Sequence, residues 1–187
     1  MNLLRGIFEV AIGRASGLEK FAATPRHFLL SLYVLLTVPA LSALVLAAKR
    51  GLGDALSILL LLVCALLAPA VISHFIARLW GREALWLRFA TVFNWSRFAI
   101  VTVFAGMLAL TVVLVGVGVS SDGAAEFMVL AVSSYSLWLE WFIARHALRL
   151  SGGRAIVIVL AMNIGTFVLL AVPGLIIRLL SGETPAG

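Results

Sequence analysis

Five long apolar runs constrain this chain more than any other feature of its sequence. A helix that crosses the roughly 30 Å hydrocarbon core of a membrane needs about 20 mostly apolar residues. The five runs that satisfy this requirement are approximately Phe28–Ala48, Ala55–Ala77, Phe98–Val119, Ala124–Ala144 and Ala155–Ile177. The predicted fold class is therefore an all-α polytopic membrane protein built as a five-transmembrane-helix bundle.

Composition and charge support a membrane protein over a nucleic-acid-binding one. Hydrophobic residues make up 63% of the chain and charged residues 12%, whereas soluble domains contain about 45–50% and about 25%. The net charge of +6 comes from basic residues scattered between apolar runs rather than from a basic arm, so we predict no nucleic-acid partner. The single cysteine, Cys64, rules out an intrachain disulfide framework.

The distribution of basic residues predicts the orientation of the chain. If the chain threads alternately, 11 of its 14 Lys and Arg residues fall on the side of the N-terminus. Short loops rich in Lys and Arg stay in the cytoplasm. We therefore expect a cytoplasmic N-terminus and a C-terminus on the opposite side. The predicted regions are a cytoplasmic segment at 1–27, a transmembrane domain at 28–180 and a flexible external tail at 181–187.

The N-terminal stretch "MNLLRGIFEVAIG" has the pattern of a short amphipathic helix. Helical spacing puts apolar residues on one face and polar residues, including Arg5 and Glu9, on the other. Such a helix either lies in the cytoplasmic leaflet or packs on the underside of the protein itself, and the sequence leaves both alternatives open.

A second interfacial element is predicted in "RLWGREALWLRFATVFNWSRF", where aromatic and apolar residues recur at helical spacing. We interpret it as a surface-lying helical hairpin between the second and third spans. All five tryptophans map near the cytoplasmic boundary, where indole rings prefer to sit. The residues predicted to contact anionic lipid headgroups on this side are Arg82, Arg88, Trp86, Trp95, Trp141, Arg145 and Arg149.

One candidate polar site lies within the spans, on the fourth and second helices. Ser133, Ser136 and Glu140 share one helix face, which should point into the bundle. His74 lies at a similar predicted depth, so Glu140 and His74 could meet, with Arg78 and Arg97 as alternative partners. The pair would either fix the packing of the helices or serve a proton-linked or ligand-binding role.

The sequence contains no pattern that predicts an enzyme, a metal site or a cofactor. The three histidines, His27, His74 and His146, lie on different elements without metal-ligand spacing. Neither a GxSxG motif nor a phosphate-binding GxxxxGK[ST] loop occurs. A membrane-embedded hydrolase is kept only as a residual alternative.

Three stretches resemble segments of the Yip1 family of five-span membrane proteins. "ATPRHF" is similar to the proline-containing entry to the family's first span. "FIARLWGREALWLRFATVFNWSRFAI" resembles the basic, aromatic-rich approach to span three, and "LSGGRAIVIVLAMN" resembles the short turn before the last span. The resemblance implies a non-enzymatic integral membrane protein. The short extramembrane parts favour a bacterial inner-membrane member, and we expect no long cytoplasmic domain of the eukaryotic kind before Phe28.

Two functions follow as hypotheses. The first is a membrane scaffold or adaptor that acts through helix–helix and lipid contacts, with a homo-oligomer or another membrane protein as partner. The alternative is a small transporter or channel that uses Glu140 and His74 as its polar site.

Overall fold

The computed structural model describes residues 3–181, with side chains as far as Val172. The described residues form six α-helices and one 3₁₀ helix, without strands. In chain order these are α1 (Leu3–Ala11), the 3₁₀ helix (Ala15–Lys20), α2 (Pro25–Arg50), α3 (Leu52–Leu79), α4 (Glu83–Gly116), α5 (Ser121–Ala147) and α6 (Gly152–Ser181). Five of them, α2 to α6, are long and apolar enough to cross a membrane. The all-α polytopic fold is confirmed, and the chain is a multi-pass membrane protein. The predicted tail lies beyond Ser181 and so outside the described residues.

The start of α2 shows how the local sequence sets a helix boundary. Thr24 precedes the helix, and its Oγ1 accepts a hydrogen bond from the His27 backbone N–H at 3.4 Å. Pro25 takes the first helical position, where the missing N–H is tolerated and the fixed φ favours the helix.

The third span differs from its prediction, because α4 is one continuous helix of 34 residues. At about 1.5 Å per residue it is about 51 Å long, well beyond the roughly 30 Å of a hydrocarbon core. The stretch predicted as a surface hairpin is therefore the end of α3, a short turn and the first part of α4 rather than a separate element. The chain turns before it, at Gly81, whose φ is +66°. No Gly or Pro occurs between Glu83 and Gly106, so nothing interrupts the helix there.

The chain forms two compact units. The first contains the residues up to Ser31 and Ala84–Val159. Its core is built from large side chains of α1, the 3₁₀ helix, α4 and α5. Those less than 2% exposed include Phe89, Leu139, Ile143 and Leu148. A core of this kind excludes water as in a soluble domain.

The second unit contains Leu32–Glu83 and, among the described residues, 160–181. Small residues dominate its buried positions, among them Ala43, Ala68 and Ala77. Where α6 carries Gly165, a Cβ would lie 2.4 Å from Ile72 Cδ1 on α3, so the helices approach each other closely at this point. Small residues permit such approaches between membrane helices.

Candidate functional site

An ion-pair cluster holds the N-terminal segment together around Glu9. Arg5 Nε donates to Glu9 Oε1 at 3.0 Å, Lys20 Nζ donates to the same oxygen, and Ser16 Oγ donates to Oε2 at 3.3 Å. Glu9 is only 7% exposed. Glu9 thus lies on the polar face of α1, as its spacing predicts, but this face is buried within the protein. The 3₁₀ helix folds back onto α1 and covers that face.

The cluster lowers the pKa of Glu9 below its ordinary value of 4.5. The hydrogen bond from Lys20 is the largest cause, burial opposes it, and the hydrogen bond from Arg5 adds to the lowering. A carboxylate that accepts hydrogen bonds from cations is stabilised in its charged form.

We expect acid to loosen this N-terminal segment. A depressed pKa in the folded state contributes stability that is fully present above about pH 4.5 and is lost as the pH falls through the lower folded value. Thermal unfolding followed between pH 7 and pH 3 should therefore show a smaller acid-dependent loss for Glu9→Gln than for the native chain. Glu126→Gln, at an exposed carboxylate of α5, is the matched control and should keep the native pH profile. If thermal stability fell with pH identically for Glu9→Gln and the native chain, the stabilising role of the ionised Glu9 would be contradicted.

The opposite face of α1 leaves apolar side chains uncovered. Leu4 is 81% exposed and Phe8 is 63% exposed. Beside them lies an apolar groove of about 490 Å³, formed by α1 together with Ala99, Thr102 and Val103 of α4 and Tyr135 of α5. The Tyr135 hydroxyl donates to the Ala11 carbonyl at 3.0 Å and ties the end of α1 to α5. Thus α1 packs on its own unit while it presents an apolar surface outward.

Glu140 lies in the first unit, on α5, and is 7% exposed. Arg97 on α4, one of its predicted alternative partners, is within electrostatic reach of it. The Arg97 guanidinium also stacks 5.2 Å from the centroid of the Phe93 ring. The predicted polar face is only partly buried, because Ser136 is half-buried and Ser133 is exposed on this chain. That Ser133, Ser136 and Glu140 together point into the bundle stays a prediction.

His74 lies in the second unit, on α3. Its Nε2 is 3.9 Å from Glu83 Oε1 at the start of α4, in the same unit. Sequence analysis did not predict Glu83 as a neighbour, although it follows His74 by nine residues across the Gly81 turn. The meeting of His74 with Glu140 stays a prediction.

The predicted interfacial aromatic residues make specific contacts within the first unit. Trp141 Nε1 donates to the Gly152 carbonyl at 3.1 Å, and the Arg145 guanidinium lies 5.2 Å from its ring centroid. The Trp86 ring lies 5.3 Å from Phe28, and the Trp95 ring lies 5.6 Å from Phe98. The Trp141 and Trp86 contacts therefore join neighbouring helices, whereas the Trp95 contact lies within α4, and all three rings are suited to a membrane boundary.

The predicted headgroup arginines occupy different places. Arg82 is half-buried in the turn before α4, where its backbone N–H donates to the Ala77 carbonyl at 2.7 Å. Arg145 is exposed near the end of α5. Arg88 and Arg149 line a common cavity together with His146.

A buried polar pair escaped sequence analysis. Asn94 Nδ2 donates to Ser31 Oγ at 2.9 Å, and Ser31 Oγ donates to the Phe28 carbonyl at 2.6 Å. Asn94 is 3% exposed and Ser31 is 1% exposed. The sequence signal that could have revealed this pair is Asn94, a lone amide in an otherwise apolar helical stretch. A buried amide needs a hydrogen-bond partner.

Comparisons with models of protein families, with curated proteins and with solved structures find no match to this chain.

Proposed function

We propose that the protein is a non-enzymatic membrane scaffold or adaptor of Yip1-like type, seated in a bacterial inner membrane with a cytoplasmic N-terminus. It acts through contacts with lipids and with other membrane helices. Its partners are anionic headgroups at the cytoplasmic face and either a second copy of the chain or another membrane protein.

The exposed apolar face of α1 carries this proposal. The Glu9 cluster ties α1 to the 3₁₀ helix and Tyr135 ties it to α5, while Leu4 and Phe8 remain uncovered. Burial of such side chains contributes about 1.5–3 kcal/mol each, so an uncovered pair favours a lipid or protein contact. A rigidly held apolar helix at the membrane–water boundary is suited to binding lipid or a partner protein rather than to catalysis.

The length of α4 and the exposed apolar side chains of its second half support the same function. Side chains such as Val101, Leu108 and Val112 are exposed on the single chain. In a membrane they would contact lipid tails or the helices of a partner.

A transporter or channel is the second candidate, and the burial of Glu140 favours it. Ionisable groups within spans are costly, by about 2.5–3.5 kcal/mol at a helix centre on insertion scales, and often serve function. Arg97, within electrostatic reach, offsets part of this cost.

Reconstitution into proteoliposomes distinguishes the two functions. For a scaffold, the native protein should carry no proton flux above protein-free vesicles under an imposed pH gradient, measured with an enclosed pH-sensitive dye. Glu140→Gln and His74→Ala should then only lower thermal stability, by about 1–3 kcal/mol where a buried partner is left unpaired. Glu126→Gln, at an exposed position on α5, controls for loss of a carboxylate as such. A flux that disappears in well-folded Glu140→Gln would overturn the scaffold proposal.

Reporter fusions test the proposed orientation. A cytoplasmic reporter should be active at the N-terminus and silent in the turn between α4 and α5, near Gly118. Activity of the same reporter at both positions would contradict the threading.

A further inference from the structure

We infer that the first unit contains a binding site for a single phosphate group, in the cavity lined by Arg88, His146 and Arg149. The cavity has a volume of about 150 Å³. It is smaller than the roughly 300–1,000 Å³ of a site for a drug-sized ligand, but large compared with the roughly 30 Å³ share of one water. Its size fits a compact anion rather than an extended substrate. The inference holds whether the protein is a scaffold or a transporter.

The Arg88 side chain supplies the strongest evidence. Its Nε is buried and has no hydrogen-bond partner among the described residues. A buried donor of a charged group without an acceptor is costly. A guanidinium presents a planar array of donors that matches phosphate oxygens, and Arg88 lines the cavity, so its remaining N–H groups are available to a phosphate group there.

The end of α5 brings two further basic side chains to the cavity. His146 Nδ1 lies 2.9 Å from the Phe142 carbonyl. A carbonyl can only accept, so Nδ1 carries a proton, and Nε2 faces a ligand as a donor in the imidazolium or as an acceptor from a protonated phosphate oxygen in the neutral ring. Arg149 follows the helix with φ of +52°, and the Leu150 N–H donates to the Arg145 carbonyl at 2.9 Å across it. This helix-ending conformation usually belongs to Gly, yet here the position carries a guanidinium.

One acidic residue, Glu19 of the 3₁₀ helix, also lines the cavity. It forms no ion pair with Arg88 or Arg149 in the described part of the chain. Two guanidinium groups therefore face one exposed carboxylate, and the cavity retains a net positive charge that favours an anion.

The place of the cavity suggests the source of the phosphate. It lies beside the second turn of α4 and just after the end of α5, which are the ends of two membrane-spanning helices. Phospholipid headgroups flank the hydrocarbon core, which is where the ends of such helices are expected. The shared chemistry is a phosphate group, carried either by a phospholipid or by inorganic phosphate from solution.

Ligand binding to the purified full-length protein tests the inference. In a phosphate-free maltoside detergent, phosphatidic acid and inorganic phosphate are titrated separately, with bound phospholipid counted by native mass spectrometry and binding followed by thermal shift. We expect one ligand per chain. Arg88→Gln and Arg149→Gly should each weaken binding about tenfold or more, as the loss of a charge-assisted hydrogen bond implies.

Two comparisons separate the loss of the site from a loss of folding and from a general loss of positive charge. Arg149→Gly retains the helix-ending conformation at a residue that prefers it, so its thermal stability without ligand should equal or exceed that of the native chain. Arg26→Gln, at an exposed arginine of α2 that does not line the cavity, should leave binding within about twofold of native.

Every result of these titrations either supports or overturns the phosphate site. Saturable phosphatidic acid binding that needs Arg88 and Arg149 supports it with a lipid as the source, and saturable inorganic phosphate binding with the same dependence supports it with a soluble source. Binding that Arg26→Gln weakens as much as the cavity variants would show diffuse charge attraction and overturn the site. The absence of binding by either probe would overturn it as well.

Discussion

Phe89→Ala should destabilise the protein by about 3–5 kcal/mol, the usual range for removing a buried phenylalanine. Phe89 is 1% exposed on α4, and its ring centroid lies 5.7 Å from that of Phe93. Truncation leaves a cavity in the core of large side chains that holds the first unit together. Unfolding in mixed micelles, followed by circular dichroism, measures the change in free energy.

Phe104 provides the matched control on the same helix. It is 45% exposed, and lipid or detergent chains can replace the contacts that its ring makes. Phe104→Ala should therefore change stability by no more than about 0.5 kcal/mol. Equal losses for the two variants would mean that the buried core of the first unit contributes no more to the free energy of unfolding than the exposed surface of α4.

Gly17→Ala should cost about 1–3 kcal/mol through overpacking, although it adds only one methyl group. A Cβ at Gly17 would lie 2.9 Å from Glu9 Cβ, from the Gly6 carbonyl oxygen and from Val10 Cγ2. A backbone oxygen cannot move aside as the end of a flexible side chain can. The 3₁₀ helix must therefore separate from α1, and the hydrogen bonds of Lys20 and Ser16 to Glu9 weaken with it.

Limited proteolysis within the N-terminal segment, together with thermal unfolding, measures this separation. Gly106→Ala is the control, because no atom lies within 4 Å of a Cβ placed there. In the middle of a helix that exchange should stabilise by about 0.5–1 kcal/mol. Unchanged protease sensitivity in Gly17→Ala would show that the two helices do not pack as closely as the structure indicates.

The sequence by itself determined the class of fold and the approximate spans. A run of about 20 apolar residues has few alternatives to a membrane-crossing helix, because an unpaired backbone group in lipid is too costly. The local signals at Thr24 and Pro25 likewise place the start of α2. These inferences depend on neighbours within a few residues, and so they can be read without a fold.

Only the tertiary structure decided which polar groups are buried and what they contact. Helical spacing put Glu9 on the polar face of α1, but the 3₁₀ helix that covers this face is a separate element whose packing no periodicity encodes. The Asn94–Ser31 hydrogen bond joins residues 63 positions apart. The cavity of Arg88, His146 and Arg149 combines the start of one helix with the end of another. Burial and pairing are properties of elements brought together by packing, and the pattern along one helix cannot specify its neighbours.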